Sequence, residues 1–219
     1  MLNNFEFNLY LIRHGESEVN ARPDEVGQTA DVKLTANGMW QAKLLGERFV
    51  NQNLILDKVF SSPYVRAYDT AKLSTCQLSG DSPLIFVADN LKEYYAGDWT
   101  GGSRKALMTP EVIHKMNVLN HAFMPPNGET LHQVQRRASQ FLEESILYNK
   151  DLHKLANGKT INIACFSHGM TIKSLLQYVM GFDRDFTWKV KIDNASISQL
   201  NFGPKGWALS CINDTAHLY

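Results

Sequence analysis

The sequence predicts an α/β fold: a three-layer α/β/α sandwich whose central sheet is mainly parallel, with an antiparallel edge near the C-terminus. Three observations lead there. Short apolar runs ("FNLYLI", "DKVFSS", "PLIFVA", "TINIACF") alternate with longer stretches of helical periodicity, the pattern of strand–helix–strand units. The first run is apolar at almost every position rather than at alternate ones, as in a strand covered on both faces. The tail ("NASISQLNF", "WALSCIND") alternates with period two, as an antiparallel edge does.

Taken in order, Phe7 to Ile12 form the first strand. Thr35 is placed to cap a helix running to about Phe49, with Trp40, Leu44, Leu45 and Phe49 on its apolar side. "DKVFSS" is a second strand. Ser62-Pro63 then offers a cap followed by proline at the first helical position, for a helix to about Leu78. "PLIFVA" is a third strand. From Glu93 to Pro126 the periodicity weakens and Gly97, Gly101, Gly102, Pro110, Pro125 and Pro126 punctuate the chain. A helix from about Glu129 to Tyr148 carries Leu131, Val134, Ala138, Phe141, Leu142 and Ile146 at helical spacing. "TINIACF" is the next strand, and "GMTIKSLLQYVMG" a helix closed by Gly181.

Composition bounds the function. The 219 residues are 44% apolar and 20% charged, with 22 basic and 22 acidic side chains. Such a balance provides no global field toward nucleic acid or an anionic membrane, so neither is an expected partner. Any anion site must be local. Cys76, Cys165 and Cys211 are odd in number and lack metal-ligand spacing, which fits reduced thiols in a cytoplasmic protein. "MLNNFEFNLYLI" has no signal-peptide character and no run reaches the roughly 20 residues of a membrane span. The length allows one α/β domain or two very small ones.

In parallel sheets ligands bind beyond the carboxyl ends of the strands. His14 follows the first strand and His168 follows "INIACFS". Arg66 lies one turn into the helix after "KVFSS", and Glu93 follows "PLIFVA". The topology therefore delivers four chemically active side chains, with Arg13, to one edge. Arg13 and Arg66 are forked cations suited to phosphate oxygens. His14 has a lone pair near neutral pH and can attack phosphorus. His168 can donate to the phosphoryl oxygens, and Glu93 can protonate a leaving alkoxide and later deprotonate water. No metal or other cofactor is required, since arginine and histidine supply the positive charge.

These residues sit in motifs that resemble the histidine phosphatase superfamily, the phosphoglycerate-mutase-like family. "LIRHGES" is similar to its signature. "LTANGMWQA", "SSPYVRAYDTA", "LKEYYAGDWTG", "PPNGET", "FSHG" and "INDTAHL" follow in the family's order and span nearly the whole chain. The resemblance implies one domain, 1–219, with 96–126 as a lid. It implies His14 as phosphohistidine nucleophile, Arg13, Arg66 and His168 as the phosphate pocket, and Glu93 as proton donor. It also implies Asn20 and Gln28 as phosphate or substrate contacts. Two departures from the mutases bear on activity. Their "N-x-x-x-R-F-x-G-W" stretch is missing from 21–33, and 96–126 is shorter than their charged insert. A short lid favours hydrolysis of a small phosphorylated metabolite over intramolecular phosphate shuffling. A cofactor-dependent phosphoglycerate mutase is the alternative, and a non-catalytic phosphate-binding module a further one.

Other candidates read as structural. Glu129 is a rival acid, but at a helix start it also serves the dipole. Arg136 and Arg137 read as the wet face of a helix. His114, His121, His132, His153 and His217 read as surface or packing residues. Tyr94, Tyr95 and Trp99 are expected to shape the specificity pocket. Cys165 lacks the arginine of a thiol-phosphatase loop, whose place Thr171 takes, and reads as a buried hydrophobe. "DRDFT", 183–187, fits an aspartyl-phosphatase pattern but follows a helix instead of a buried strand.

Overall fold

A computed structural model describes residues 5–27, 29–78 and 83–219. Gln28 lies outside them. Six strands form one sheet in the order β3-β2-β4-β1-β5-β6: β1 Phe7–Arg13, β2 Lys58–Ser61, β3 Ile85–Val87, β4 Ile161–Ser167, β5 Ile197–Gly203 and β6 Gly206–Asp214. The first four in space run parallel; β5 pairs antiparallel with β1, and β6 with β5. This is the predicted sheet with the predicted edge.

The two faces of β1 explain its composition. Phe7, Leu9 and Leu11 are buried with α5 (Leu131–Phe141) and α7 (Gly169–Met180), through Ala138, Phe141, Ile172 and Leu175. Ile12 points the other way, into Leu45 and Phe49 of α1 (Ala36–Asn51) and Ala71 of α2 (Val65–Thr75). Each such side chain contributes about 1.5–3 kcal/mol on burial, and the two layers hold the sheet rigid between them. Asn8, near the start of β1, joins Asn162 and Asn201 in a cross-strand amide ladder.

Thr35 caps α1 as expected, its Oγ1 accepting from Gly38 N at 3.0 Å. The buried stripe of α1 is Gly38, Ala42, Leu45 and Phe49, while Trp40 is 50% exposed. Trp40 lies two positions off the 3–4 spacing of that stripe, so its expected burial is corrected. Gly38 is needed for close approach: a Cβ there would lie 2.0 Å from Glu16 O, so α1 abuts the turn after β1 backbone to backbone.

The helix after β2 starts at Val65, later than Ser62-Pro63 implied, and ends at Thr75. Ser62 is not its cap: Tyr64 holds the N-cap position, and the Ser62 hydroxyl accepts from Tyr64 N at 3.3 Å and lies 2.8 Å from His168 Nε2. Thr130 and Gln133 form a capping box for α5, which passes into a wide π turn over Leu142–Leu147. All six apolar residues expected on that run are buried. The punctuated segment contains more helix than its pattern indicated: α3 Arg104–Leu107 and α4 Pro110–Leu119. The signal was Thr109-Pro110, a cap and a first-turn proline, and Thr109 Oγ1 does accept from Val112 N at 3.3 Å. A short α6 (Lys150–Ala156), capped by Asn149, and α8 (Phe186–Lys189) complete the chain. Among the described residues no helix is long and apolar enough to cross a membrane.

Candidate active site

Strand register brings the two histidines together. Arg13 pairs with Ser167 at the carboxyl ends of neighbouring β1 and β4, so the next residues, His14 and His168, emerge side by side. His14 N donates to Ser167 O at 3.0 Å, and the two rings lie 5.1 Å apart at 60°. β2 flanks β4 on the other side. Its helix α2 brings Arg66 over the same edge, with Nε donating to His14 Nε2 at 3.3 Å. His14, Arg66 and His168 are 1%, 0% and 0% exposed.

Hydrogen bonds fix the His14 tautomer. His14 Nδ1 lies 2.6 Å from Gly15 O. A carbonyl only accepts, so Nδ1 carries the proton and Nε2 holds the lone pair. Burial first, then the charges of Arg13 and Arg66, hold His14 well below the ordinary imidazole range. His168 is held down likewise by burial, Arg66, His14, Arg13 and Arg137. Both rings are neutral at neutral pH. Arg66 is pushed down to about 10 by burial, against the pull of Glu93, and stays charged.

The arginines are anchored to backbone. Arg66 Nη1 donates to Thr29 O at 2.8 Å and Arg13 Nη1 to Ile192 O at 2.6 Å. Arg13 Nε, Arg66 Nη2 and His168 Nδ1 are buried without protein partners. An unmade bond at a buried polar group costs about 1–3 kcal/mol. Three such groups beside one imidazole lone pair, two of them on guanidinium cations, make a cradle suited to a tetrahedral oxyanion.

Glu93 lies at the cradle's rim in a stretch without regular structure, half-buried. Its oxygens accept from Tyr94 N at 2.8 Å and from Met170 N at 3.3 Å, in the first turn of α7. Its charge is felt by both Arg13 and Arg66. A cleft of about 360 Å³ borders it, lined by Tyr64, Lys92, Tyr95, Glu129 and Arg137 among others. The Tyr64 ring packs 5.3 Å from the His168 ring and 4.9 Å from Arg66 Cζ, so cleft and cradle share a wall.

Asn20 is near but differently occupied. Its Oδ1 accepts from Ser17 N, Ser17 Oγ and Asn194 Nδ2 at 3.1, 2.9 and 3.0 Å, which leaves only its amide nitrogen for a ligand. Asn194 also donates to His14 O at 3.0 Å. Sequence reasoning missed Asn194, whose place depends on the turn between α8 and β5. It also missed Ser62 as partner of His168.

Arg137 is the main correction. It is 17% exposed at the side chain and paired with Glu129, not a wet-face residue. Glu129 is spent on that pair and on Tyr95 N, 3.1 Å away. Arg136 is exposed, as expected. Tyr95 lines the cleft, Tyr94 is half-buried with its hydroxyl pushed up to about 12 by burial, and Trp99 packs on Phe123 at 5.6 Å. His121 is buried against Thr187 of "DRDFT", and Asp183 caps the Phe186 N–H, so neither motif aspartate stands at a strand end. Cys165 is fully buried and burial pushes its thiol up.

A model of the "Histidine phosphatase superfamily (branch 1)" matches residues 9–215. A Hydrogenobacter thermophilus protein provisionally named phosphoserine phosphatase 2 is 28% identical over 95% of this chain and 96% of its own. A 2,3-bisphosphoglycerate-dependent phosphoglycerate mutase of Rhizobium etli is 30% identical over 77% of this chain and 78% of its own. The structure of phosphoserine phosphatase from Entamoeba histolytica in complex with 3-phosphoglyceric acid superposes with a TM-score of 0.77 at 27% identity, covering 97% of this chain and 100% of that one. The chain belongs to the histidine phosphatase superfamily, a family of enzymes, and its relatives include phosphatases and mutases.

Proposed function

We propose that this histidine phosphatase superfamily member is a metal-independent phosphomonoester hydrolase of the cytoplasm, acting on a small phosphorylated metabolite through a phosphohistidine at His14. One observation carries the reading: His14 Nε2 is the unprotonated ring nitrogen, met only by a long 3.3 Å bond from Arg66 Nε, on the same sheet edge as three buried polar atoms without protein partners, on Arg13, Arg66 and His168. Ser62 Oγ lies 2.8 Å from His168 Nε2; with the hydroxyl proton donated there, the ring proton sits on Nδ1, aimed at the oxyanion.

The phosphoryl oxygens lie against Arg13 Nε, Arg66 Nη2 and His168 Nδ1–H. His14 Nε2 attacks phosphorus in line with the ester oxygen, and the P–O bond breaks as the P–N bond forms. The Glu93 carboxyl delivers a proton to the leaving oxygen. The leaving group occupies the cleft bordered by Tyr64, Glu93 and Tyr95. Water then takes its place, loses a proton to Glu93 and attacks the phosphohistidine, returning free His14 and phosphate. Proton transfer supplies about 10²–10⁴-fold; the fixed guanidinium and imidazole donors supply the larger electrostatic share. Segment 96–126 acts as the lid. It is stitched to 23–26 by Arg104 N to Asp24 O, Val26 N to Gly102 O and Gly101 N to Val26 O. No bound 2,3-bisphosphoglycerate is needed for this cycle, which separates it from the mutase alternative.

The test is a panel of phosphate monoesters, 3-phosphoglycerate included, assayed in EDTA, with acid-quench trapping of a labelled enzyme. The expected outcome is EDTA-resistant phosphate release and an acid-labile, base-stable phosphoenzyme that His14→Ala lacks. Near-wild-type turnover by His14→Ala would refute the mechanism. Conversion of 3-phosphoglycerate to its isomer faster than release of phosphate would establish the mutase instead.

A further inference from the structure

The Arg137 guanidinium has five N–H groups, and each has an acceptor. Nε donates to Glu129 Oε1 at 3.0 Å and Nη2 to Glu129 Oε2 at 3.1 Å. Nη1 donates to Asn90 O at 2.8 Å and Lys92 O at 2.6 Å, and Nη2 also donates to Glu93 O at 3.1 Å. Glu129 in turn accepts from Tyr95 N at 3.1 Å. One ion pair thus grips the backbone at 90, 92, 93 and 95, on both sides of Glu93.

The grip is where the fold otherwise provides least. Residues 92–96 belong to no helix or strand, and no sheet ladder holds them. Ser167 Oγ and Thr171 Oγ1 hold the carbonyls of Leu91 and Lys92, but the Glu93 carbonyl is held by Arg137. A carboxyl on such a stretch keeps its position only if its own peptide is fixed. A half-buried pair made only for stability would need one partner, not five acceptors on four residues. Double grip by a rigid, planar fork sets orientation as well as distance.

We infer that Arg137, seated by Glu129, is a positioning residue for proton transfer: it borders the leaving-group cleft, but all its N–H groups are spent on protein acceptors, so it acts through Glu93 and donates to neither the phosphate nor the leaving group. This rests on the reading of Glu93 as the proton donor. A misplacement of about 1 Å in a reacting group costs on the order of 10²-fold, and only in the step that group serves. Loss of Arg137 therefore depresses esters that need a proton on the leaving oxygen and spares those that do not.

The experiment compares single-turnover phosphoenzyme formation for alkyl phosphates and p-nitrophenyl phosphate in Glu93→Gln, Arg137→Gln and Glu129→Gln, with near-UV circular dichroism to confirm packing. In Arg137→Gln the alkyl rate is expected to fall by roughly 10- to 100-fold and the aryl rate by less than about threefold, with the leaving-group dependence steepened as in Glu93→Gln. Glu129→Gln retains the acceptor geometry toward Tyr95 and gives the same split, smaller. It also carries the test if Arg137→Gln does not fold. Equal losses on both ester types in the folded variants, with Glu93→Gln still splitting them, would overturn the inference and leave Glu93 as the acid. Absence of a split in Glu93→Gln itself would instead remove the proton-donor reading.

Discussion

The cradle and segment 96–126, proposed above as a lid, are built on opposite principles. His14, Arg66 and His168 are at most 1% exposed, and each is tied to backbone or to another side chain of the cradle. In segment 96–126, α4 buries none of its ten residues, and Ile113, Val118 and Leu119 are exposed. Its ties include backbone bonds to 23–26, the Asp24 side chain on Lys105 N at 3.0 Å, and His121 against Thr187. The sheet edge holds charge rigidly where reaction chemistry is fixed. Segment 96–126 holds little area, which is what the proposed lid needs in order to move where substrates differ.

Replacing Arg66 with Met tests the first half of that contrast hardest. The side chain is fully buried with one nitrogen unpartnered, so its charge is held at a cost in stability. The expected result is a loss of about 10²–10³ in kcat/KM with an unfolding midpoint at or above the parent's. A large fall in the midpoint with modest kinetic loss would mean that Arg66 serves packing rather than phosphate.

Replacing Asp24 with Ala sharpens the second half. It releases the Lys105 end of segment 96–126 and leaves the cradle intact. KM for metabolite esters is expected to change several-fold, with the rate on p-nitrophenyl phosphate within about a factor of two. A uniform loss on every ester would show that segment 96–126 reaches into the chemical step.

Acid stability is the mildest probe. His14 and His168 lie below about 6.5 in the folded chain and near it when unfolded. The unfolded state therefore binds more protons below that pH, and stability falls as pH drops from about 6.5, by up to roughly 1.4 kcal/mol per unit for each ring. Above that pH the two rings add no slope. Denaturant titrations from pH 7.5 to 5 should show the loss, and saturating phosphate should reduce it, because a bound dianion favours protonated imidazole. A flat profile without phosphate would mean that the rings are not buried neutral.

The strand–helix alternation and the delivery of Arg13, His14, Arg66, Glu93 and His168 to the carboxyl edge of the sheet were legible in the chain itself. Local periodicity specifies strands and helices, and a parallel sheet has one edge at which every strand's carboxyl end arrives. The meeting of His14 with His168 was legible only as shared membership of that edge; the contact itself came from the Arg13–Ser167 register, a long-range pairing. Arg137 and Ser62 show what local pattern misses. Arg137 stands at a helix position that solvates well in isolation, and Ser62 precedes a proline as a cap does. Only packing of α5 against the stretch after β3, and of β4 beside β2, gave those side chains acceptors stronger than water or a helix end. The sequence by itself determined which groups could handle a phosphate. The tertiary structure decided which of them are neutral, which are anchored, and which hold another in place, because burial, register and hydrogen-bond partners are properties of the assembled chain.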